Sequence, residues 1–241
     1  AELNLTAARH ARTTTAFQSA ADFAAAGLRA LGGNHGGALR TLAFSLMVTG
    51  CESALALGRL AEGAERLEQA RRLCQGRAET ATCWRLQIEL HTCRGESLEA
   101  LGAAFDCLSL YDVSLSTHPA REDVDAVERD LRARIGPNPA QTLEALPLAP
   151  EPDLHLAVAV LVGILPSAYY VDRELHRLVV CTLVDLALRH GVCPLSPMGF
   201  AAYALELAIR RDFAAIEPWV FVARRLVQRH AFADARAMLL N

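Results

Sequence analysis

Apolar residues recur along the chain at the spacing of α-helices. Near the start, Phe17, Ala20, Ala24 and Leu28 follow the i, i+3, i+7, i+11 spacing that puts side chains on one helix face. The same periodicity predicts helices over residues 2–10, 14–31, 37–57, 78–93, 101–111, 122–135, 172–190, 196–210, 214–229 and 232–240, with a further helix around Leu67 and Ala70. No segment alternates as a β-strand does. The pattern therefore predicts an all-α fold.

The most apolar stretch covers residues 152–191, and it contains no charged residue from Leu154 to Val171. A helix that is apolar on every side is either buried in a protein core or spans a membrane. Gly163 and Pro166 interrupt this stretch. It also lacks the cluster of basic residues that commonly lies next to a membrane span. We therefore predict a buried central helix and no membrane partner.

Polar residues in and near this stretch are predicted to cap helix ends or to form ion pairs at the rim of the core. Asp172 stands at the N-cap position of the helix predicted to end at His190, and Gly191 follows at C′. Glu206 and Arg210, spaced i, i+4, are predicted to form an ion pair at a rim. The amphipathic helix over 122–135 is predicted to face inward through the residues Val124, Val127, Leu131 and Ile135.

Two predicted turns have similar sequences. GRLAEGAERLEQA begins at Gly58 and GESLEALGAAFDC begins at Gly95, 37 residues later. A weaker third copy begins at Arg211, and Trp84 and Ala100 stand at two positions of the tetratricopeptide consensus. Paired helices at such a period are typical of a solenoid. We therefore expect antiparallel helix pairs in a tetratricopeptide-like (TPR-like) α-α superhelix.

Proline marks the expected domain organisation. Six of the ten prolines fall within residues 114–152, which we interpret as an irregular connection with short helices. Residues 1–113 would then hold the N-terminal helix pairs, and residues 153–241 a C-terminal helical-repeat half around the buried helix. Since the first helix begins in mid-pattern without a cap, we expect the chain to be a fragment of a larger protein.

Composition excludes several classes of function. The 241 residues are 52% hydrophobic with a net charge of −3, so the chain has a sizeable core and no basic face for nucleic acid. All 24 Lys+Arg residues are arginine. A P-loop ATPase, a protein kinase and a Schiff-base enzyme each need a lysine, so the chain itself is predicted not to be an enzyme.

Cysteine, histidine and acidic residues give no persuasive reactive site. Seven cysteines without compact spacing, and an N-terminus without an apolar signal core, favour a reducing cytoplasmic setting. The two best metal candidates are the sets Cys181, His190, Cys193 and Cys83, His91, Cys93. Both sets spread around their helical wheels instead of converging, so we predict no metal, no other cofactor and no catalytic residue.

The remaining candidate residues are acidic or aromatic. Glu62, Glu65 and Glu68 share a predicted helix with three arginines, as solvated surface ion pairs do. Tyr169 and Tyr170 follow Pro166 and are interpreted as packing residues or as part of a pocket. The candidate ligand or partner pocket consists of Tyr169, Tyr170, His176 and Tyr203.

Four stretches occur in order along the chain: LNLTAARHARTTTAFQSAADFAAAGL, GRLAEGAERLEQA, WRLQIELHTCRGESLEAL and LPLAPEPDLHLAVAVLVGILPSAYYVDRELHRLVV. LALRHG, Ser196 and FAAYALEL follow them. Together they resemble the TPR-like region that follows the signal-transduction ATPase domain in large bacterial sensor proteins. Those proteins join a serine/threonine-kinase-like domain, an AAA-type ATPase, a GAF domain and a histidine kinase. The chain departs from the family at Tyr111-Asp112 and at Glu206.

This resemblance implies a regulatory or protein-interaction module between a nucleotide-driven switch and an output kinase. The ATP site and the phospho-accepting histidine would lie in flanking domains. The expected partner is a protein or a neighbouring domain of the same polypeptide. The alternative is a small-molecule sensor whose effector binds the internal pocket named above and controls the attached kinase or ATPase.

Overall fold

The computed structural model describes residues 1–33, 36–150 and 152–230. Within these ranges the chain is helical and forms no β-strand, and an isolated bridge joins Leu148 to Val192. The predicted all-α fold is therefore confirmed. The helix predicted over 232–240 lies outside the described residues.

Thirteen α-helices are present in the described ranges: α1 Glu2–Thr13, α2 Phe17–Ala30, α3 Arg40–Ala56, α4 Leu60–Leu73, α5 Gly76–Arg94, α6 Ser97–Ser109, α7 Arg121–Ile135, α8 Pro139–Glu144, α9 Pro152–Gly163, α10 Leu165–Val171, α11 Arg173–His190, α12 Ser196–Ile209 and α13 Ile216–His230. Short 3-10 turns at Gly37–Leu39 and Phe213–Ala215 precede α3 and α13. Most helices lie within a few residues of their predicted bounds.

The chain divides into two compact units, residues 1–104 and 105–241, with the division inside α6. In the first unit α3 packs against α1, α2, α4 and α5. Its buried residues Met47 and Cys51 meet Leu67 of α4 and Leu86 of α5 in one apolar core. Glycine allows α4 to approach closely, since a Cβ on Gly63 would lie only 2.7 Å from a Leu55 methyl carbon.

In the second unit α11 packs against α7, α9, α10 and α12, while α13 packs against α8 and α12. The core between them includes Leu131, Val180, Phe200 and Val222. Helices α7 and α8 lie in the segment that was predicted to be an irregular connection with short helices. Both supply buried residues to this core.

The apolar stretch over residues 152–191 forms α9, α10 and α11, with breaks at Ile164 and Asp172. Leu161 is fully buried, so the prediction of a buried helix is confirmed. Among the described residues no single helix has the length and apolar composition to cross a membrane. Residues of α9 and α10 meet that measure only as a pair, and the pair is bent by 43°.

Both predicted ends of α11 are confirmed. The Asp172 carboxylate accepts hydrogen bonds from the backbone amides of Glu174 at 2.8 Å and Leu175 at 3.2 Å. Gly191 follows α11 with φ of 97°, where a Cβ would lie 2.5 Å from the Pro147 carbonyl oxygen. Glycine is therefore required both by its backbone angle and by this close approach.

The same backbone turn joins helices at four places. Thr15, Gly58, Gly95 and Arg211 all have left-handed φ angles, between 57° and 74°. In each turn, the amide of the next residue donates to the carbonyl oxygen five residues before it, at 2.9 Å; the pairs are Ala16–Ala11, Arg59–Ala54, Glu96–His91 and Asp212–Leu207. A helix resumes two residues after each left-handed residue, as α2, α4, α6 and the 3-10 turn before α13. These bonds satisfy carbonyl groups at the helix ends.

Candidate functional site

The structure separates the four predicted pocket residues into two groups. Tyr169 and Tyr170 lie on α10 and are 41% and 81% exposed, whereas His176 and Tyr203 are buried. The Tyr169 ring makes edge contacts with His176 at 5.4 Å and with Tyr170 at 5.7 Å between ring centroids. Three of the four residues are thus in contact. The clefts lined by Leu28, by Phe213 and by Phe105 do not include any of the four.

Tyr203 belongs to a different group of side chains. Its ring stacks on Trp219 with the centroids 4.0 Å apart. Its hydroxyl donates a hydrogen bond to Glu128 Oε1 at 3.1 Å. Tyr203 therefore faces α7 and α13, and packing accounts for its aromatic ring.

Glu128 lies at the centre of a charged group inside the second unit. Although it is only 5% exposed, its carboxylate accepts hydrogen bonds at both oxygens. Oε1 accepts from Tyr203 and from Arg132 at 2.8 Å, and Oε2 accepts from Arg177 at 3.0 Å and Arg210 at 2.7 Å. We call these five residues the Glu128 cluster. Because they lie on α7, on α11 and on α12 with its C-cap residue Arg210, the cluster joins three helices.

The arginines keep the Glu128 carboxylate charged. Burial by itself would raise the pKa of Glu128, but hydrogen bonds from Arg210 and Arg177 outweigh burial and lower the pKa to about 2. Burial, together with the nearby Glu128 charge, raises the pKa of Tyr203 to about 12. At neutral pH the carboxylate is therefore ionised and the phenol is protonated.

Arg177 binds three carboxylates. It donates to Asp125 at 2.6 Å, to Glu174 at 2.5 Å and to Glu128. Burial lowers the pKa of Arg177, but the hydrogen bonds to Asp125 and Glu128 outweigh it and raise the pKa above the ordinary value. The hydrogen bond from Arg177 in turn lowers the pKa of Asp125. These ion pairs offset the free-energy cost of burying the Arg177 charge.

Glu206 forms a second buried group with α11. One carboxylate oxygen lies 2.6 Å from His176 Nδ1, and Arg173 Nη2 lies 3.2 Å from the same oxygen. The Arg173 guanidinium also lies over the Tyr169 ring, 4.5 Å from its centroid. Glu206 is 2% exposed and has no access to a rim.

The predicted rim ion pair between Glu206 and Arg210 is therefore wrong. Arg210 directs its Nη1 to Glu128 instead, and only its Nε bonds the backbone carbonyl oxygen of Glu206, at 3.3 Å. A buried carboxylate takes the partners that neighbouring helices present, and the i, i+4 spacing along its own helix does not decide them.

Four of the seven cysteines are poor nucleophiles, and the predicted metal candidates do not converge. Burial raises the pKa values of Cys51, Cys83 and Cys181 to about 12 and that of Cys107 to about 11. These thiols stay protonated at neutral pH, and a thiol is a poor nucleophile. No three His, Cys, Asp or Glu side chains among the described residues are placed to hold a metal ion.

The sequence did contain a signal for the Glu128 cluster. Val127, predicted to face inward, is 40% exposed, while its neighbour Glu128 is buried beside the core residues Val124 and Leu131. Glu128 follows Val124 by four residues and precedes Leu131 by three, so it lies on the apolar face of α7. A charged residue at such a position indicates a buried pair.

Comparison of the chain with protein-family models, with curated proteins and with solved structures found no match. Function is therefore inferred from the residues themselves. In the Glu128 cluster and around Glu206, the charged groups bind one another. Their arrangement holds helices together.

Proposed function

We propose that the chain is a non-enzymatic, TPR-like helical scaffold that acts as a regulatory or protein-interaction module of a bacterial signal-transduction ATPase or kinase. The observation that carries this proposal is the turn repeated at Thr15, Gly58, Gly95 and Arg211. It joins α1 to α2, α3 to α4, α5 to α6 and α12 to α13, and in the first, second and fourth of these pairs the two helices pack against each other. A helix pair with a fixed turn is the repeating unit of a tetratricopeptide array.

The packing order in the first unit supports the same proposal. Each of the helices α1 to α4 contacts the next one along the chain. In addition α3 contacts both α1 and α5, so the first helices of successive pairs lie side by side. In helical-repeat proteins each repeat packs mainly on its neighbours, which gives this order of contacts.

The absence of lysine and the pairing of buried charges support a non-enzymatic role. Glu128, Arg177 and Glu206 are engaged in ion pairs, whereas a general acid or base must reach a substrate proton. ATP hydrolysis by the purified 241-residue chain would contradict this part of the proposal.

The coding sequence on both sides of this chain tests the regulatory setting. We expect an AAA-type ATPase domain to precede the chain and a kinase domain to follow it, as the resemblance implies. A gene product without an ATPase or kinase domain would refute this setting.

A small-molecule sensor is the second candidate, favoured by the exposed Tyr169–Tyr170 pair next to Arg173 and His176. Thermal-shift screening against metabolites tests it. A sensor would show a reproducible stabilisation that Tyr170→Ala abolishes. Binding restricted to protein baits would exclude the sensor and favour the scaffold.

A further inference from the structure

A cleft of about 510 Å³ lies in the first unit between α2 and α4, with α3 beneath it. Its lining combines apolar and basic side chains, chiefly Leu28, Met47, Leu73, Arg29, Arg66 and Arg72. Its size falls within the range of about 300–1,000 Å³ that small-molecule sites occupy. We call it the arginine cleft.

The three arginines of this cleft differ from most others in the unit. Arg12 and Arg85 bind Glu52, and Arg40 binds Glu79. Side chains of the described residues offer no ion pair or hydrogen bond to Arg29, Arg66 or Arg72, and no acidic residue lines the cleft. Three arginines therefore line one space in which no described side chain supplies a counter-charge.

The stem of Arg66 lies beside α3. A Cβ added at Gly50 would lie 3.9 Å from Arg66 Cδ and 3.6 Å from Ala24 Cβ, which is ordinary van der Waals contact. Arg66 is half-buried between α3 and the cleft. Its guanidinium can therefore bind an anion in the cleft while its hydrocarbon stem covers apolar surface.

The base of the cleft is apolar. Leu28 and Leu73 are half-buried and supply the accessible apolar surface, and the core residue Met47, 3% exposed, also lines the cleft. Inorganic anions alone would leave this apolar surface uncovered, so a matching ligand also carries a hydrocarbon part.

We propose that the arginine cleft binds a small organic anion with at least two negative charges and an apolar or aromatic body. The guanidinium groups of Arg29, Arg66 and Arg72 would bind the phosphate or carboxylate oxygens, since arginine matches both geometrically. The apolar body would cover Leu28, Met47 and Leu73. Three arginines are too few to follow a nucleic-acid backbone. This site is independent of the regulatory role proposed above.

Fluorescence titration of the full chain with naphthyl phosphate tests the proposal. We expect saturable binding, at least about tenfold tighter than competing inorganic phosphate or naphthol, because only naphthyl phosphate has both the charge and the apolar body. Arg66→Gln should weaken it about tenfold. Arg9→Gln, which removes an unpaired arginine outside the cleft, is the matched control and should leave binding unchanged.

Each other outcome overturns the proposal. No binding by the wild-type chain, or equal binding by Arg66→Gln, would exclude the cleft as the site. Equal affinity for inorganic phosphate would indicate an adventitious ion only, and equal affinity for naphthol an apolar surface only. Tighter binding of an acidic pentapeptide, Glu-Glu-Leu-Glu-Glu, would replace the small molecule by a protein partner. None of these results bears on the repeated turns, which support the proposed scaffold separately.

Discussion

At the scale of single residues, Glu128 decides the electrostatics of the second unit. Its carboxylate is the shared acceptor for Arg132, Arg177 and Arg210. Without it, three cations would face one another next to an apolar core. The carboxylate therefore stabilises the packing of α7, α11 and α12, and we infer no chemical role for it.

Glu128→Gln tests this role. The substitution keeps the side-chain volume but removes the charge. Arg132 and Arg210 then lose the carboxylate that they share, whereas Arg177 keeps Asp125 and Glu174. We expect a loss of about 2–3 kcal/mol in the free energy of unfolding, below the 3–5 kcal/mol of a fully buried pair because Arg132 and Arg210 reach solvent. Urea denaturation at neutral pH measures it. Glu65→Gln on α4 is the exposed control, and an equal effect of both variants would contradict the account.

The pH dependence of stability gives a second test at this residue. The pKa of Glu128 is about 2 in the folded chain, below its ordinary value of 4.5. A depressed carboxylate pKa contributes stability that is complete above the unfolded-state value and is lost as pH falls through the folded value. Between pH 4.5 and pH 2 the wild-type chain should therefore lose more stability than Glu128→Gln. If the wild-type chain and Glu128→Gln lost the same amount of stability over this pH range, Glu128 would not be the group that causes the pH dependence.

Sequence reasoning succeeded for residues whose partners are local. Asp172 was predicted as a cap because its partners, the amides of Glu174 and Leu175, follow at once. The pair of Glu128 and Arg177 joins residues 49 positions apart. Such a pair depends on which helices pack together, and no local pattern contains that information.

At the scale of helices, α9 belongs to the apolar stretch that the sequence predicted to be buried, and its Leu161 is fully buried. Leu161→Ala should lower the free energy of unfolding by about 2–5 kcal/mol, because it leaves a cavity in the core. Leu205→Ala removes a leucine that is 53% exposed on α12 and serves as the control. A loss below about 1 kcal/mol for Leu161→Ala would mean that α9 is not packed as described.

If the turn is shared, substitutions at two of its left-handed positions should change stability in opposite directions. Arg211 has φ of 61°, which costs a residue with a Cβ about 1 kcal/mol, so Arg211→Gly should raise stability by roughly that amount. Gly58 has φ of 71° and open space around it, so Gly58→Ala should lower stability by about 1 kcal/mol through backbone strain alone. Thermal unfolding measures both. Shifts of the same sign in the two variants would contradict the shared turn.

Helix ends were harder to predict than helices. The second helix was expected from residue 14, yet Thr15 adopts the left-handed turn and α2 begins at Phe17. Threonine is rarely found in that conformation, so no sequence signal marked it. Pro166 did mark a boundary, since it lies in the first turn of α10.

At the scale of the whole molecule, the boundaries in sequence and in structure fall at different places. Residues 114–152 were interpreted as an irregular connection because of their prolines. In the structure α7 and α8, from this segment, supply the buried residues Leu131, Ile135 and Leu143 to the core of the second unit. Prolines mark the ends of these short helices, and their apolar faces find partners in α11 and α13, far along the chain.

At this scale, the proposed function of the chain is to regulate the activity of an attached kinase or ATPase. The most direct test is the rate of phosphate transfer by the kinase domain that we propose to follow this chain, measured in the full-length gene product with and without residues 1–241. We predict that removal of the module changes the rate at least about fivefold, the smallest effect typical of regulatory coupling. An unchanged rate in a product whose kinase domain remains folded would contradict a regulatory role for this chain.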